Sequence, residues 1–194
     1  MNYITFYFIQ FIIYSFLGWI FECIHMALTT KEVVNRGFLF GPVIPVYGVG
    51  LSLIVTFLSK FKNNFIVFLI LSILIIAVLE YLISVILEKI FKIRWWDYSD
   101  KKFNLNGRIC LNTMTIFIVG ATIITYLVHP LIYKILISMS VNFRNFLFGV
   151  LLILFIMDVV FSVWITKQYL KNGKSKRKDK TPEIRKYTKK YFGK

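Results

Sequence analysis

"NFIVFLILSILIIAVLEYLISVILE", residues 64–88, decides the class of this chain. Between residues 65 and 79 its only polar side chain is Ser72. A helix rises ~1.5 Å per residue and the hydrocarbon of a bilayer is ~30 Å thick, so about 20 such residues cross it. The stretch is long enough to do so as one helix. The rest of the 194-residue chain points the same way: 58% of its residues are hydrophobic, 18% are aromatic, and the mean hydropathy is +0.70. A soluble domain of this size has too little interior to hide that much apolar surface. The sequence therefore predicts an all-α polytopic transmembrane bundle.

Apolar runs long enough to cross fall at about residues 4–28, 43–59, 64–88, 109–129 and 146–166, which predicts five spans. The second run opens with "GPVIPVYGVG" from Gly41, where Pro42, Pro45 and the glycines work against a regular helix, so residues 37–48 are a candidate re-entrant segment. The start "MNYITFYF" has no basic n-region and no small-x-small cleavage site follows it, so the first span is expected to be retained. Cys23 and Cys110 form neither a CxxC pair nor a spaced disulfide framework.

Direction follows from Lys and Arg, which collect on the cytoplasmic side. With the N-terminus outside, twenty of the 24 basic residues lie in inner segments and four in outer loops; leaving out the tail, the loops still split eight to four. The expectation is N-out and C-in, with a transmembrane domain over 1–166 and a basic cytoplasmic tail over 167–194. That tail, "KQYLKNGKSKRKDKTPEIRKYTKKYFGK" from Lys167, suits the anionic inner leaflet, where each basic residue near the surface contributes about 1 kcal/mol. The net charge of +15 follows from this topology and does not call for nucleic acid as a partner. Nor does "GKS" at Gly173 make a phosphate loop, since Gln168 stands where the motif needs glycine.

Charged groups in hydrocarbon cost about 2.5–3.5 kcal/mol near the centre of a span, which makes Glu22, Glu80 and Asp158 functional candidates. Helical rise puts Glu22 near the inner end of span 1, Glu80 about two-thirds of the way inward on span 3, and Asp158 just past the middle of span 5. Each heads a stripe at four-residue spacing: Glu80, Ser84 and Glu88; Glu22 with Gly18 and Tyr14; Asp158 with Ser162 and Thr166. Such stripes prefer to face one another rather than lipid, so together they outline a polar cavity open to the cytoplasm.

Two inner loops bring the remaining candidates. "RWWDYSDKKFNLNGRIC", residues 94–110, supplies Arg94 and Arg108 as partners for Glu80, Glu88 or Glu22, together with Asp97, turn-forming Asn104, Asn106 and Gly107, and two interfacial tryptophans. "NRGFLFGPVIPVYG" from Asn35 adds Asn35, Arg36 and backbone amides able to meet a ligand. The seventeen-residue loop is expected to cover the cavity. His129, just before Pro130, reads as a helix end. His25 beside Glu22 and Cys23 does not frame a tetrahedral site, so no metal or cofactor is expected. The bland alternative is a structural ion network, with Ser and Thr bonding only their own backbone.

The stretches "YSFLGWIFE" from Tyr14, "VNRGFLFGPVIPVYGVG" from Val34, "LEYLISVILEKIF" from Leu79 and "RWWDYSDKKFNLNGRICL" from Arg94 resemble the CmpB-like bacterial membrane proteins of the ABC-transporter type IV family. They lie within about the first 120 residues. The resemblance implies a multi-span protein of the bacterial cytoplasmic membrane with a permease role. The leading expectation is transport of a small polar or charged solute, with a second copy or a partner transporter subunit completing the pathway. An intramembrane enzyme acting on a lipid or isoprenoid headgroup, with Asp97 and Glu88 as base and acid, and a noncatalytic accessory subunit are the alternatives.

Overall fold

The structure, a computed structural model, describes residues 3–30 and 37–172. It is a helical bundle: α1 (Tyr3–Thr30), α2 (Pro45–Phe57), α3 (Phe65–Phe91), α4 (Leu111–Ile123), α5 (His129–Ser138) and α6 (Val141–Asn172), with one small hairpin of β1 (Asn104–Leu105) and β2 (Ile109–Cys110). Four stretches are long and apolar enough to cross a membrane: Tyr3–Leu28, Phe65–Phe91, Leu111–Ser138 and Val141–Lys171.

The opening stretch forms α3, as its uninterrupted apolar run demands. The Asn64 side chain caps it, accepting from the Val67 amide at 3.2 Å. It ends where Lys92 turns left-handed at φ 58° and returns its amide to the Glu88 carbonyl. Helix α2 has only 13 residues, about 20 Å of rise, and falls short of a full crossing by itself. The irregular segment 37–44 precedes it. The Ile44 amide donates to the carbonyl of Ser15 at 3.0 Å, so the non-helical backbone lies beside the middle of α1 and α2 begins at that depth. From there α2 runs antiparallel to α1, and Gly48 sets their spacing: a Cβ at that position would stand 2.6 Å from the carbonyl oxygen of Phe11.

Helix α2 is the centre of the bundle. Its Leu51, Ile54 and Val55 are buried with Tyr14 of α1, Phe68 of α3 and Ala121 of α4. A second cluster joins Phe91 and Trp95 to Ile165 and Tyr169 of α6, and a third joins Phe6 and Ile9 to Leu136 of α5. Much of α6 faces outward with apolar side chains such as Ile153, Met157 and Val160, as lipid contact requires.

One expectation needs correction. His129 does not end a helix: the chain passes through a π turn, Ile124–Val128, and continues as α5 to Ser138. Pro130 has no amide to give, and the wider turn absorbs the mismatch without breaking the rod. Arg144 lies in the first turn of α6, buried, and donates from Nη1 to the Leu136 carbonyl at 3.1 Å. It neutralises carbonyls at the end of α5 that have no helical partner.

Candidate functional site

A cavity of ≈ 450 Å³ lies between α1, α2, α3 and α4, with segment 37–44 and Trp95, Trp96 and Tyr98 along its border. Most of its wall is apolar: Leu17 and Phe21 of α1, Leu51 and Ile54 of α2, Ile83 of α3 and Phe117 of α4 are representative. Two carboxyl groups enter it. Glu22 accepts a short hydrogen bond from the Tyr47 hydroxyl, which ties α1 to α2 at the wall. Glu80 is 6% exposed, and its Oε2 has no hydrogen-bond partner among the described residues. Beside them Trp95, 5% exposed, keeps an unpartnered Nε1–H. A buried donor or acceptor left without a partner costs about 1–3 kcal/mol, and both residues stand in the cavity wall.

The loop from Arg94 to Cys110 folds over the end of α3 as a clasp. Its hairpin pairs Asn104 with Cys110 and Leu105 with Ile109. Asn106 and Gly107 take positive φ of 53° and 68°, the paired left-handed geometry for which Asn-Gly is suited. Glu88 holds both arginines: Arg94 Nε lies 3.3 Å from Oε1, and Arg108 Nη2 bonds Oε2. Arg108 also donates from Nη1 to Ser84 at 2.9 Å, and its guanidinium lies over the Tyr81 ring. A carboxylate near the C-terminal end of a helix opposes the helix dipole, and the two arginines offset that repulsion. Arg94 reaches Asp97 at 3.7 Å and the Asn106 carbonyl at 3.2 Å, while the Asn106 amide group donates to the Tyr81 hydroxyl at 3.0 Å.

A model for the family described as "Putative ABC-transporter type IV" matches residues 9–163. The chain belongs to this family. The match runs past the resembling motifs and takes in most of α6 of this ABC-transporter type IV protein. Comparison with curated proteins and with solved structures finds no match.

The predicted site residues thus fall into three places. Glu22 and Glu80 line the cavity of this family member; Ser84, Glu88, Arg94, Asp97, Asn106 and Arg108 form the clasp. Neither arginine pairs with Glu80 among these contacts, because Glu88 lies nearer the hairpin at the end of α3.

Asp158 does not line the cavity. Its Oδ1 accepts from the amides of Phe40 and Gly41 at 3.0 Å, and its Oδ2 accepts from Gly41 at 3.0 Å. Ser162 takes the Phe40 amide at 2.9 Å and donates to Asp158 at 3.2 Å. The amides expected to meet a ligand are therefore occupied by α6. Irregular backbone at this depth needs protein partners, and Asp158 supplies them. Gly41 is required by the fit, since a Cβ there would lie 2.6 Å from Oδ2. Asn35, Arg36 and the tail beyond residue 172 lie outside the described residues.

Sequence reasoning overlooked Tyr47 and Tyr81. Tyr47 had a signal, being the one hydroxyl in "GPVIPVYGVG". Trp95, expected with Trp96 at the interface, packs between Phe38 at 5.2 Å and Phe91 at 5.9 Å.

Proposed function

We propose that this protein is a permease-like, multi-pass transport protein that binds a small charged solute in the cavity between α1 and α4. The observation that carries the reading is Glu80, a buried acid on a membrane helix that stands with Glu22 in the wall of a cavity. Ionisable groups at such positions mark solute and ion pathways.

In this reading segment 37–44 and α2 together make one crossing, giving five crossings with the N-terminus outside and the C-terminus in the cytoplasm. The clasp then lies at the cytoplasmic mouth, where release of Glu88 from Arg94 and Arg108 opens the cavity. The basic tail binds anionic lipid of the bacterial cytoplasmic membrane, and a second copy or a partner transporter subunit completes the pathway. The engagement of both arginines by Glu88 favours transport over a lipid-headgroup enzyme, which would need them for phosphate.

The test is native mass spectrometry of gently extracted protein, comparing wild type with Gly120→Val. A Cβ at Gly120 meets only the Phe21 ring, at 4.0 Å, so the added side chain enters the cavity without a backbone clash. The expected result is a small molecule retained by wild type and displaced in the variant. Bare protein in both, with no protein-dependent solute or proton flux across proteoliposomes, would remove the transport reading.

A further inference from the structure

We infer that the cavity selects a lipophilic cation: an amine or quaternary ion with an apolar body. This deepens the transport reading and rests on it. Three features of the wall support the class. First, its ionisable carboxyl groups are Glu22 and Glu80, and no Lys or Arg stands among the described lining residues. A positive charge is favoured over a negative one throughout such a space, because Coulomb attraction is weakly screened away from water.

Second, the rest of the wall is apolar, so a small hydrated ion would lose its water there and gain few ligands in exchange. An ion already wrapped in hydrocarbon loses little hydration and gains apolar contact. Third, aromatic rings surround the acids: Phe21, Phe38, Tyr47, Trp95, Tyr98 and Phe117 all line the cavity. Aromatic faces attract cations, the more so where water is excluded. The acids fit this occupant: the Glu80 carboxyl group, in the cavity wall, takes the positive centre or its N–H. The Glu22 carboxylate, held by Tyr47, adds field from the α1 side.

Tetraphenylphosphonium and tetraphenylborate make the decisive probes, since they share shape and apolar surface and differ in sign. Binding of each to full-length protein in lipid nanodiscs is measured by equilibrium dialysis, with protein-free nanodiscs as blank. The cation is expected to bind saturably and the anion to show only the blank's partition. Glu80→Gln should weaken the cation by about tenfold or more, the loss that accompanies removal of a charged partner. Glu80→Asp keeps the charge and should retain preference for the cation, and Gly120→Val should exclude it. Size-exclusion profiles identify any variant that fails to fold.

Equal binding of both ions, unaffected by Glu80→Gln, overturns the cation inference and leaves a general apolar cavity. The inference also fails, with solute binding intact, if neither probe binds while native mass spectrometry shows a retained molecule. Absence of both probe binding and a retained molecule overturns this inference and the transport reading together.

Discussion

Asp158 and Glu80 lie midway along apolar helices, and each has a serine four residues on. Their sequence signals are nearly the same, yet the bundle uses them in different ways. Asp158 on α6 is satisfied by the Phe40 and Gly41 amides and by Ser162, and with them it fixes a non-helical segment at membrane depth. Glu80 on α3 stands in a cavity wall with no hydrogen bond to its Oε2, and Ser84 is turned instead to Arg108. An acid in a membrane helix therefore marks importance without specifying the kind. Whether its oxygens are already filled from within the chain separates a structural acid from one held for a ligand.

The largest expected effect comes from breaking the filled side of this comparison. Asp158→Ala removes both acceptors of the Gly41 amide and leaves the Phe40 amide with Ser162 alone, and should lower stability by about 1–3 kcal/mol. Thermal unfolding of the purified protein in detergent measures it. Asp158→Asn keeps one acceptor oxygen and should cost less. Gly41→Ala should resemble Asp158→Ala, because its methyl group intrudes on the carboxylate. An unchanged midpoint in Asp158→Ala would show that segment 37–44 does not depend on α6. Where Asp158→Asn folds, its preference for tetraphenylphosphonium over tetraphenylborate should match wild type, since Asp158 is outside the cavity wall.

A smaller effect is expected at the clasp, which lies between the two extremes. Glu88 and Arg94 side chains are 33% and 34% exposed, so solvent screens their pairing, while Arg108 at 13% is more enclosed. Arg108→Gln should cost about 1 kcal/mol. The more telling readout is local: amide exchange at Tyr98 and Arg108, whose N–H groups bond within the clasp, should quicken while that of α2 stays slow. Raising salt should narrow the difference between wild type and variant. Uniform exchange changes across the bundle would assign Arg108 to global stability and not to closure.

The comparison also explains what could be read from the sequence. Spans α1 and α3 were legible because apolar length is a local property, and the "GPVIP" entry to α2 because proline and glycine act on their own backbone. The Glu88 clasp was half legible: four-residue spacing placed Ser84 and Glu88 on one face, and the arginines of the following loop were near in sequence. The Asp158 contact was not legible, for it joins residues 117 apart and depends on which way α6 turns against α1. The same spacing rule that placed Ser162 with Asp158 assigned both to the cavity, since periodicity identifies a face without identifying what covers it. Pro130 misled for a related reason. A proline signals a lost hydrogen bond, but only the surrounding turns show whether a π turn absorbs it.

The smallest expected change in stability belongs to Glu80→Gln, at the unfilled side of the comparison. The amide has nearly the carboxyl's shape, so packing against α2 and α4 is preserved. A buried carboxyl group with an unpartnered oxygen contributes no hydrogen bond there for the substitution to remove. The unfolding midpoint should stay within about 1 kcal/mol of wild type. Solute retention should fall at the same time. The opposite pairing, a large loss of stability with retention unchanged, would place Glu80 with Asp158 among the acids that hold the bundle together, and the distinction drawn from their hydrogen bonds would fail.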